Sequence, residues 1–471
     1  MGRVFTNCLV LSADRFGEGE VYIEGDRIVS VHYCGSGEEP EVHLGPAVPL
    51  DTPREDLGGK VLMCSLIDSH VHFREPGMTR KGDIFTESRS ALLGGVTTFI
   101  DMPNTNPPTV TLDALQDKLS RCEGRSWADY GFHIGATNGN SGLLREIATE
   151  GSPLWGEYGA IKVFMGSSTG GMLLDSKDVL SELFSIPFTG KRILVHSEDE
   201  GEIRSNTAAF KQKYGDDIPQ RYHSAIRSRR ACILSTIRAL ELAMKYGTAL
   251  HILHVTTKEE VDMIRAAKRL NPNITAETTP NYLYFSDEDY DRLGPRLKCN
   301  PAVKTASDRQ ALRDALLDGT IDTIGTDHAP HLLSEKDKPY TSCPSGCPSI
   351  TQSLGVILTV CREGDIPLTV VAKTMCEKPA ELFGIKDRGH MLPGQKADLL
   401  VVDPSLEYMV GDKEAMSLTS SSHVPYLCGW SPYEGETLTG GVKSVYLSGE
   451  LSVQDGRLLD ESPRGRKVTF S

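Results

Sequence analysis

The stretch IDSHVHFREPG, residues 67–77, follows the apolar run VLMCSLI and sets His70, His72 and Arg74 at every second position. In an extended chain such residues share one face. All three then point the same way at the end of a buried strand. Two imidazoles side by side suit a metal ion, and a guanidinium beside them suits a carboxylate. Taken alone, the pattern also fits ordinary polar residues closing a strand, so the rest of the chain has to decide.

Seven further apolar segments follow before residue 330: GVTTFIDM, GFHIGAT, AIKVFMG, RILVHSE, ALHILHVT, NITAETT and TIDTIGTDH. Helical patterns such as DSKDVLSELFSI, SRRACILSTIRALELAMKYG, KEEVDMIRAAKRL and DRQALRDALLDG lie between several of them. Eight strands alternating with helices predict an α/β fold, a closed (β/α)8 barrel of the TIM type over residues 52–395. The two ends of the chain read differently. Residues 1–51 and 396–471 carry short strand patterns, among them VYIEGDRIVSVHY, KADLLVVDP and VKSVYLSGELSVQDGRL. They predict one small β-sandwich domain built from both termini. The stretch DESPRGRKVTFS reads as a surface segment.

Barrel enzymes place their chemistry at the carboxyl ends of the strands. The first strand offers His70, His72 and Arg74 there, and the second offers Asp101 and Asn104. The fourth carries Lys162, the fifth His196 and the sixth His254. The seventh brings Glu277, and the eighth Asp327 and His328. Singly, each has a plain structural reading: a hydrogen-bonded core histidine, or an aspartate capping a turn. Lys162 is harder to dismiss, because an ammonium inside an apolar strand needs a partner or a neutral form. Four imidazoles, an aspartate and a lysine at one end of different strands predict a centre with more than one metal ion. Imidazole and carboxylate ligands suit zinc. An ammonium cannot ligate, but a lysine that has added carbon dioxide becomes a carbamate whose oxygens can bridge two cations.

Composition sets the outer limits. The chain has 471 residues, 39% hydrophobic and 24% charged, enough for one large domain and a smaller one. A net charge of −14, without a basic patch, excludes nonspecific nucleic-acid binding. The eleven cysteines lack framework spacing and read as reduced thiols, which predicts a cytoplasmic protein. CPSGC at Cys343 and Cys347 has no second pair and reads as a loop. No run approaches the roughly 20 apolar residues of a membrane span.

Taken together, DSHVHFREPG, GGVTTFIDMPNTNPP, IKVFMG, LVHSEDE, HILHVTT, GTDHAPH and GHMLPGQKADLLVVDP resemble the amidohydrolase superfamily, and within it the dihydroorotases. The resemblance runs from about residue 20 to 455. It implies zinc-dependent, reversible cyclisation of N-carbamoyl-L-aspartate to L-dihydroorotate in pyrimidine biosynthesis. It further implies two Zn2+ per subunit, bridged by carbamylated Lys162 and a hydroxide. One zinc would be held by His70, His72 and Asp327, the other by His196 and His254. Asp327 would also be the catalytic proton carrier. Arg74, Asn104 and His331 would hold the substrate carboxylate, Asn300 would touch the substrate, and CPSGCPSITQS would close over the ring. A homodimer is expected from the family. Association with an aspartate transcarbamoylase is neither supported nor excluded by the residues. Asn281, where a histidine is common in the family, puts fine substrate contacts in doubt. The nearest rivals are allantoinase, dihydropyrimidinase and hydantoinase. A metal-free scaffold of the same fold would show gaps in the ligand set, and none is seen.

Overall fold

The structure, a computed structural model, describes residues 2–35, 41–152, 154–167 and 171–471. Of the N-terminal stretch 1–51, residues 1 and 36–40 lie outside that description.

Each of the eight apolar segments contains a strand. In chain order these are β1 (Leu66–Val71), β2 (Val96–Asp101), β3 (Asp129–Phe132, resumed at Ile134–Gly135) and β4 (Ile161–Phe164). They continue with β5 (Ile193–His196), β6 (Leu250–Ile252), β7 (Ile274–Thr278) and β8 (Thr323–Ile324). All are parallel to their neighbours. One sheet runs β1–β2–β3 and a second runs from the resumed β3 through β8 in order. His133 separates the two pieces of β3, and a parallel bridge between Val71 and His328 links the far edges. The strands are buried on both faces, as expected where helices cover a parallel sheet.

The helices follow their sequence signals. The segment KEEVDMIRAAKRL is the helix Lys258–Leu270, opened by a capping box between Thr257 and Glu260. The helix Arg229–Tyr246 ends on Gly247 at φ 71°, a left-handed position that suits glycine. At the start of β2, Gly95 has φ 85°, and a Cβ there would meet Leu400 Cδ1 at 2.9 Å. Only glycine lets the parallel sheet approach the other sheet this closely.

That other sheet has ten strands and joins the two ends of the chain. Its order is Arg457–Leu458, Glu450–Gln454, Thr437–Leu447, Leu399–Met409, Val61–Cys64, Gly2–Leu11, Phe16–Glu24, Arg27–Tyr33 and Val42–Leu44. Arg54–Asp56 pairs beside Gly2–Leu11. The run expected as one strand, KVLMCSLIDSH, is therefore two. Val61–Cys64 belongs to the ten-stranded sheet and β1 to the parallel set. Ser65 sits at the break, its N–H donating to the Asp398 carbonyl at 2.9 Å. Both halves are fully buried, so hydrophobicity gave no sign of the change of sheet.

The C-terminal stretch is also not a surface segment. Val468 and Phe470 are 3% and 1% exposed. Tyr130 N–H donates to the Arg466 carbonyl, Val468 N–H to the Tyr130 carbonyl and Phe470 N–H to the Gly156 carbonyl. The alternation V-x-F buries one face of this strap against the amino ends of the strands. All eleven cysteines are free thiols. Among the described residues no helix is long and apolar enough to cross a membrane.

Candidate metal centre

The carboxyl ends of the parallel strands converge on one cavity. Its lining includes His70, His72, Arg74, Asn104, Lys162, His196, His254, Asn300 and Asp327, together with Ser345 and Gly346 of a later loop. His70 and His196 lie on β1 and β5, Lys162 on β4, and His254 and Asp327 just beyond β6 and β8. Arg74, His254 and Asp327 hold φ values of 70°, 40° and 49°. Left-handed backbone is unfavourable for such side chains and is held only where the surroundings fix it. Here it turns three strand ends inward.

The contacts define which ring nitrogen faces the cavity. His70 Nδ1 lies 2.6 Å from Glu277 Oε1, His72 Nδ1 2.6 Å from Asn104 Oδ1, and His196 Nε2 2.9 Å from Glu198 Oε2. An outer nitrogen that donates to such an acceptor leaves the inner one with its lone pair free. The inner atoms then crowd together. Asp327 Oδ1 is 2.9 Å from His72 Nε2 and 3.3 Å from His70 Nε2, and His196 Nδ1 is 2.9 Å from His254 Nε2. Acceptors converge here without donors, an arrangement that a cation in each group relieves. The donor set thus fits metal ions in two places.

Glu277 was placed at the end of the seventh strand from sequence, without its partner, whereas Glu198 was missed. Glu198 had a signal: it stands two residues after His196, the same spacing as His70 and His72. It is itself held by Arg227 Nη1 at 2.5 Å. Glu277 is 207 residues from His70 in the chain, and nothing local marks the pair. Asp101 is not in the lining. It accepts from the Phe73 N–H at 2.8 Å and pairs with Lys118, which fixes the backbone next to His72.

Electrostatics agree with a centre built from neutral donors. Burial pushes His70 down to about 3 and His72 to about 4, and lowers His196 and His254 as well. Burial opposes ionisation of Asp327, but His70, His72 and Lys162 hold its carboxyl down at about 2. Burial lowers Lys162 to about 7, against the pull of Asp327 and Glu277. Its Nζ is buried without a hydrogen-bond partner, 4.6 Å from the centroid of the Phe164 ring. A free-base amine in that position is the form that adds carbon dioxide.

Arg74 is 2% exposed. Its Nε donates to the Pro330 carbonyl at 3.1 Å and its Nη2 lies 3.1 Å from His331 Nε2. Among the described residues no carboxylate is within ion-pair distance of it. His331 stands behind Arg74 and is not part of the cavity lining, whereas Asn300 reaches the cavity with its Oδ1 unpartnered. Asn104 both lines the cavity and orients His72. Asn281 accepts from the Tyr433 hydroxyl at 2.7 Å, which accounts for this chain's departure at that position.

The description of the amidohydrolase family matches residues 61–451, from the last strand before β1 to the closing hairpin. The chain belongs to the amidohydrolase family. Among amidohydrolase relatives, the dihydroorotase of Methanosarcina mazei is 36% identical over 85% of this chain and 87% of its own length. The L-hydantoinase of Paenarthrobacter aurescens is 30% identical over 99% and 97%. The solved structure of the L-hydantoinase (dihydropyrimidinase) from Arthrobacter aurescens superposes with a TM-score of 0.87 at 29% identity, covering 99% of both chains.

Proposed function

We propose that this amidohydrolase is a dihydroorotase, a two-zinc enzyme on a closed (β/α)8 barrel that interconverts L-dihydroorotate and N-carbamoyl-L-aspartate. We assign the barrel to residues 65–395 of the expected span 52–395, since Arg54–Asp56 and Val61–Cys64 pair in the ten-stranded sheet, and residues 1–64 with 396–471 to the domain formed by both ends. The single observation that carries the substrate is Arg74. A guanidinium buried beside the donor cluster, without a carboxylate of its own, is a costly feature unless the substrate brings the anion.

In this reading His70, His72 and Asp327 would hold one metal and His196 and His254 the other, with carbamylated Lys162 as a ligand to both. When bound, the pair supplies an activated water and polarises the scissile carbonyl. The chain's own residues do the rest. Arg74, backed by His331, pairs with the ring carboxylate, and Asn104 and Asn300 orient the ring. Water adds to the ring carbonyl and the C–N bond breaks. Asp327, ionised at neutral pH, takes the water's proton and passes it to the departing nitrogen. In reverse, the carbamoyl nitrogen of the open chain closes on the side-chain carboxyl group and water leaves.

A hydantoinase-type activity is the second reading, favoured by the match over nearly the whole chain to the L-hydantoinase of Paenarthrobacter aurescens. A ring without a carboxylate would leave Arg74 unpaired. The test is turnover by the zinc- and bicarbonate-loaded protein of L-dihydroorotate, dihydrouracil, hydantoin and allantoin side by side. Dihydroorotate alone should react, and Arg74→Ala should lower its kcat/KM by about 100-fold with metal retained, the scale of a lost charge-assisted pair. Turnover of a carboxylate-free ring with dihydroorotate ignored would overturn the assignment.

A further inference from the structure

Two buried lysines, Lys298 between β7 and β8 and Lys336 in the segment after β8, have no role in the site as drawn. Lys336 is fully buried and Lys298 is 5% exposed. Lys336 Nζ donates to three backbone carbonyls, those of Lys298 (3.0 Å), Pro344 (3.0 Å) and Gly346 (3.1 Å). Lys298 Nζ donates to the carbonyls of Tyr340 and Cys343, both at 2.6 Å, and lies 3.9 Å from the centroid of the Tyr340 ring. Among the described residues neither ammonium has a carboxylate partner. Burial lowers both, Lys298 to about 8. A buried cation held by carbonyls and an aromatic face, with no counter-charge, is expensive, and here both cations gather the same segment.

That segment is 340–346. Its far end, Ser345 and Gly346, forms one wall of the cavity that Arg74 also lines. The Ser345 carbonyl is 3.1 Å from His331 Nε2, the ring that backs Arg74. Gly346 N–H donates to the Lys298 carbonyl at 2.9 Å, so the same lysine residue holds the loop from both its backbone and its side chain. Gly346 has φ 145°, and a Cβ there would stand 2.6 Å from the Ala329 carbonyl oxygen, which fixes how near the loop can lie. His223 closes the arrangement from outside, its Nδ1 2.7 Å from the Tyr340 hydroxyl and its Nε2 2.8 Å from the Cys299 carbonyl.

We propose that Lys336 and Lys298 are positioning residues for substrate binding: two ammonium groups that tie five backbone carbonyls together and build the loop 340–346 as a standing wall against the carboxylate end of the pocket. The wall is present before substrate arrives, so binding does not have to order it. This inference rests on the reading of Arg74 as the carboxylate anchor. The lysines touch neither the metal ligands nor the reacting bond, so removing one loosens the wall and leaves the chemistry in place.

The test is Lys336→Met in the zinc-loaded protein. KM for L-dihydroorotate should rise about tenfold or more, with kcat within about threefold and metal content unchanged, the split expected when binding shared by the ground state and the transition state is lost. Lys298→Met should shift KM in the same direction, which keeps the test available if Lys336→Met does not fold. Amide hydrogen exchange on the wild-type protein supplies a reading that needs no substrate. Residues 340–346 should be protected without ligand, and that protection should fall in whichever lysine variant folds. An unchanged KM in the folded variants, kcat falling in step with metal content, or a loop that exchanges freely until substrate is added would each overturn the proposal. Failure of the wild-type protein to turn over dihydroorotate would instead remove the function proposed above, and the exchange result would still judge the wall.

Discussion

Lys162 and Lys191 make an instructive pair. Both are buried, both lack a hydrogen-bond partner for Nζ, and burial lowers both to about 7. They sit at opposite ends of the parallel strands. Lys191 precedes β5 and is boxed by the rings of Trp155, Tyr158 and Phe470, whose centroids lie 4.3, 5.3 and 5.4 Å away. No neighbouring charge contributes to its shift. Lys162 shares its end with four histidines, Asp327 and Glu277. A displaced lysine alone therefore does not mark a site. What distinguishes Lys162 is its company: lone pairs converging without donors, in a cavity that opens toward an unpaired arginine.

The sharpest way to break the comparison is to remove each lysine in turn. Lys162→Ala should lower kcat/KM for dihydroorotate by about 10⁴-fold or more, the scale of losing a central member of a cooperating set. Lys191→Met should leave it within about twofold, since it touches no part of the site. Equal losses would show that the two positions differ less than their surroundings suggest.

A smaller effect sharpens the chemical side of the argument. Glu277→Gln and Glu198→Gln keep the size of the groups that orient His70 and His196 but weaken their basicity. Metal affinity should fall about 10- to 100-fold in each, the usual consequence of losing a partner behind a ligand. Titration with a competing chelator reads this directly, and unchanged affinity would mean the outer contacts do not set the ring orientation.

The effect at the far end is read in stability and leaves activity alone. Lys191 is neutral in the fold above about pH 7 but charged in the unfolded chain up to its ordinary 10.5. Between those values the unfolded chain binds more protons, so stability rises with pH. The slope owed to this group is at most about 1.4 kcal/mol per pH unit. Denaturant melts from pH 7 to 10 should show it in the wild-type protein and not in Lys191→Met. Parallel curves would mean that the aromatic box keeps the ammonium charged.

How much of this was legible in the sequence follows from how far each feature reaches. The strands were legible because burial on both faces leaves apolar runs, and the residues that gather at the cavity because strand ends fall at regular places along those runs. The break at Ser65 was not, since both halves of VLMCSLI are buried in different sheets. The burial of Val468 and Phe470 was hidden in a short stretch rich in charge, where only alternation hinted at a packed face. Glu277 was legible at its strand end, but its pairing with His70 was not, because the two lie 207 residues apart. Lys336 escaped because its partners are backbone carbonyls, which carry no sequence signature.

The proposed two-metal centre depends most directly on the chemical state of Lys162. The decisive measurement is ¹³C NMR of the zinc-loaded protein prepared in ¹³C-bicarbonate, for the wild type, Lys162→Ala and Lys191→Met. A carbamate resonance in the wild type and Lys191→Met, absent from Lys162→Ala, is the predicted result. A resonance that survives in Lys162→Ala, or none in the metal-loaded wild type, would contradict it.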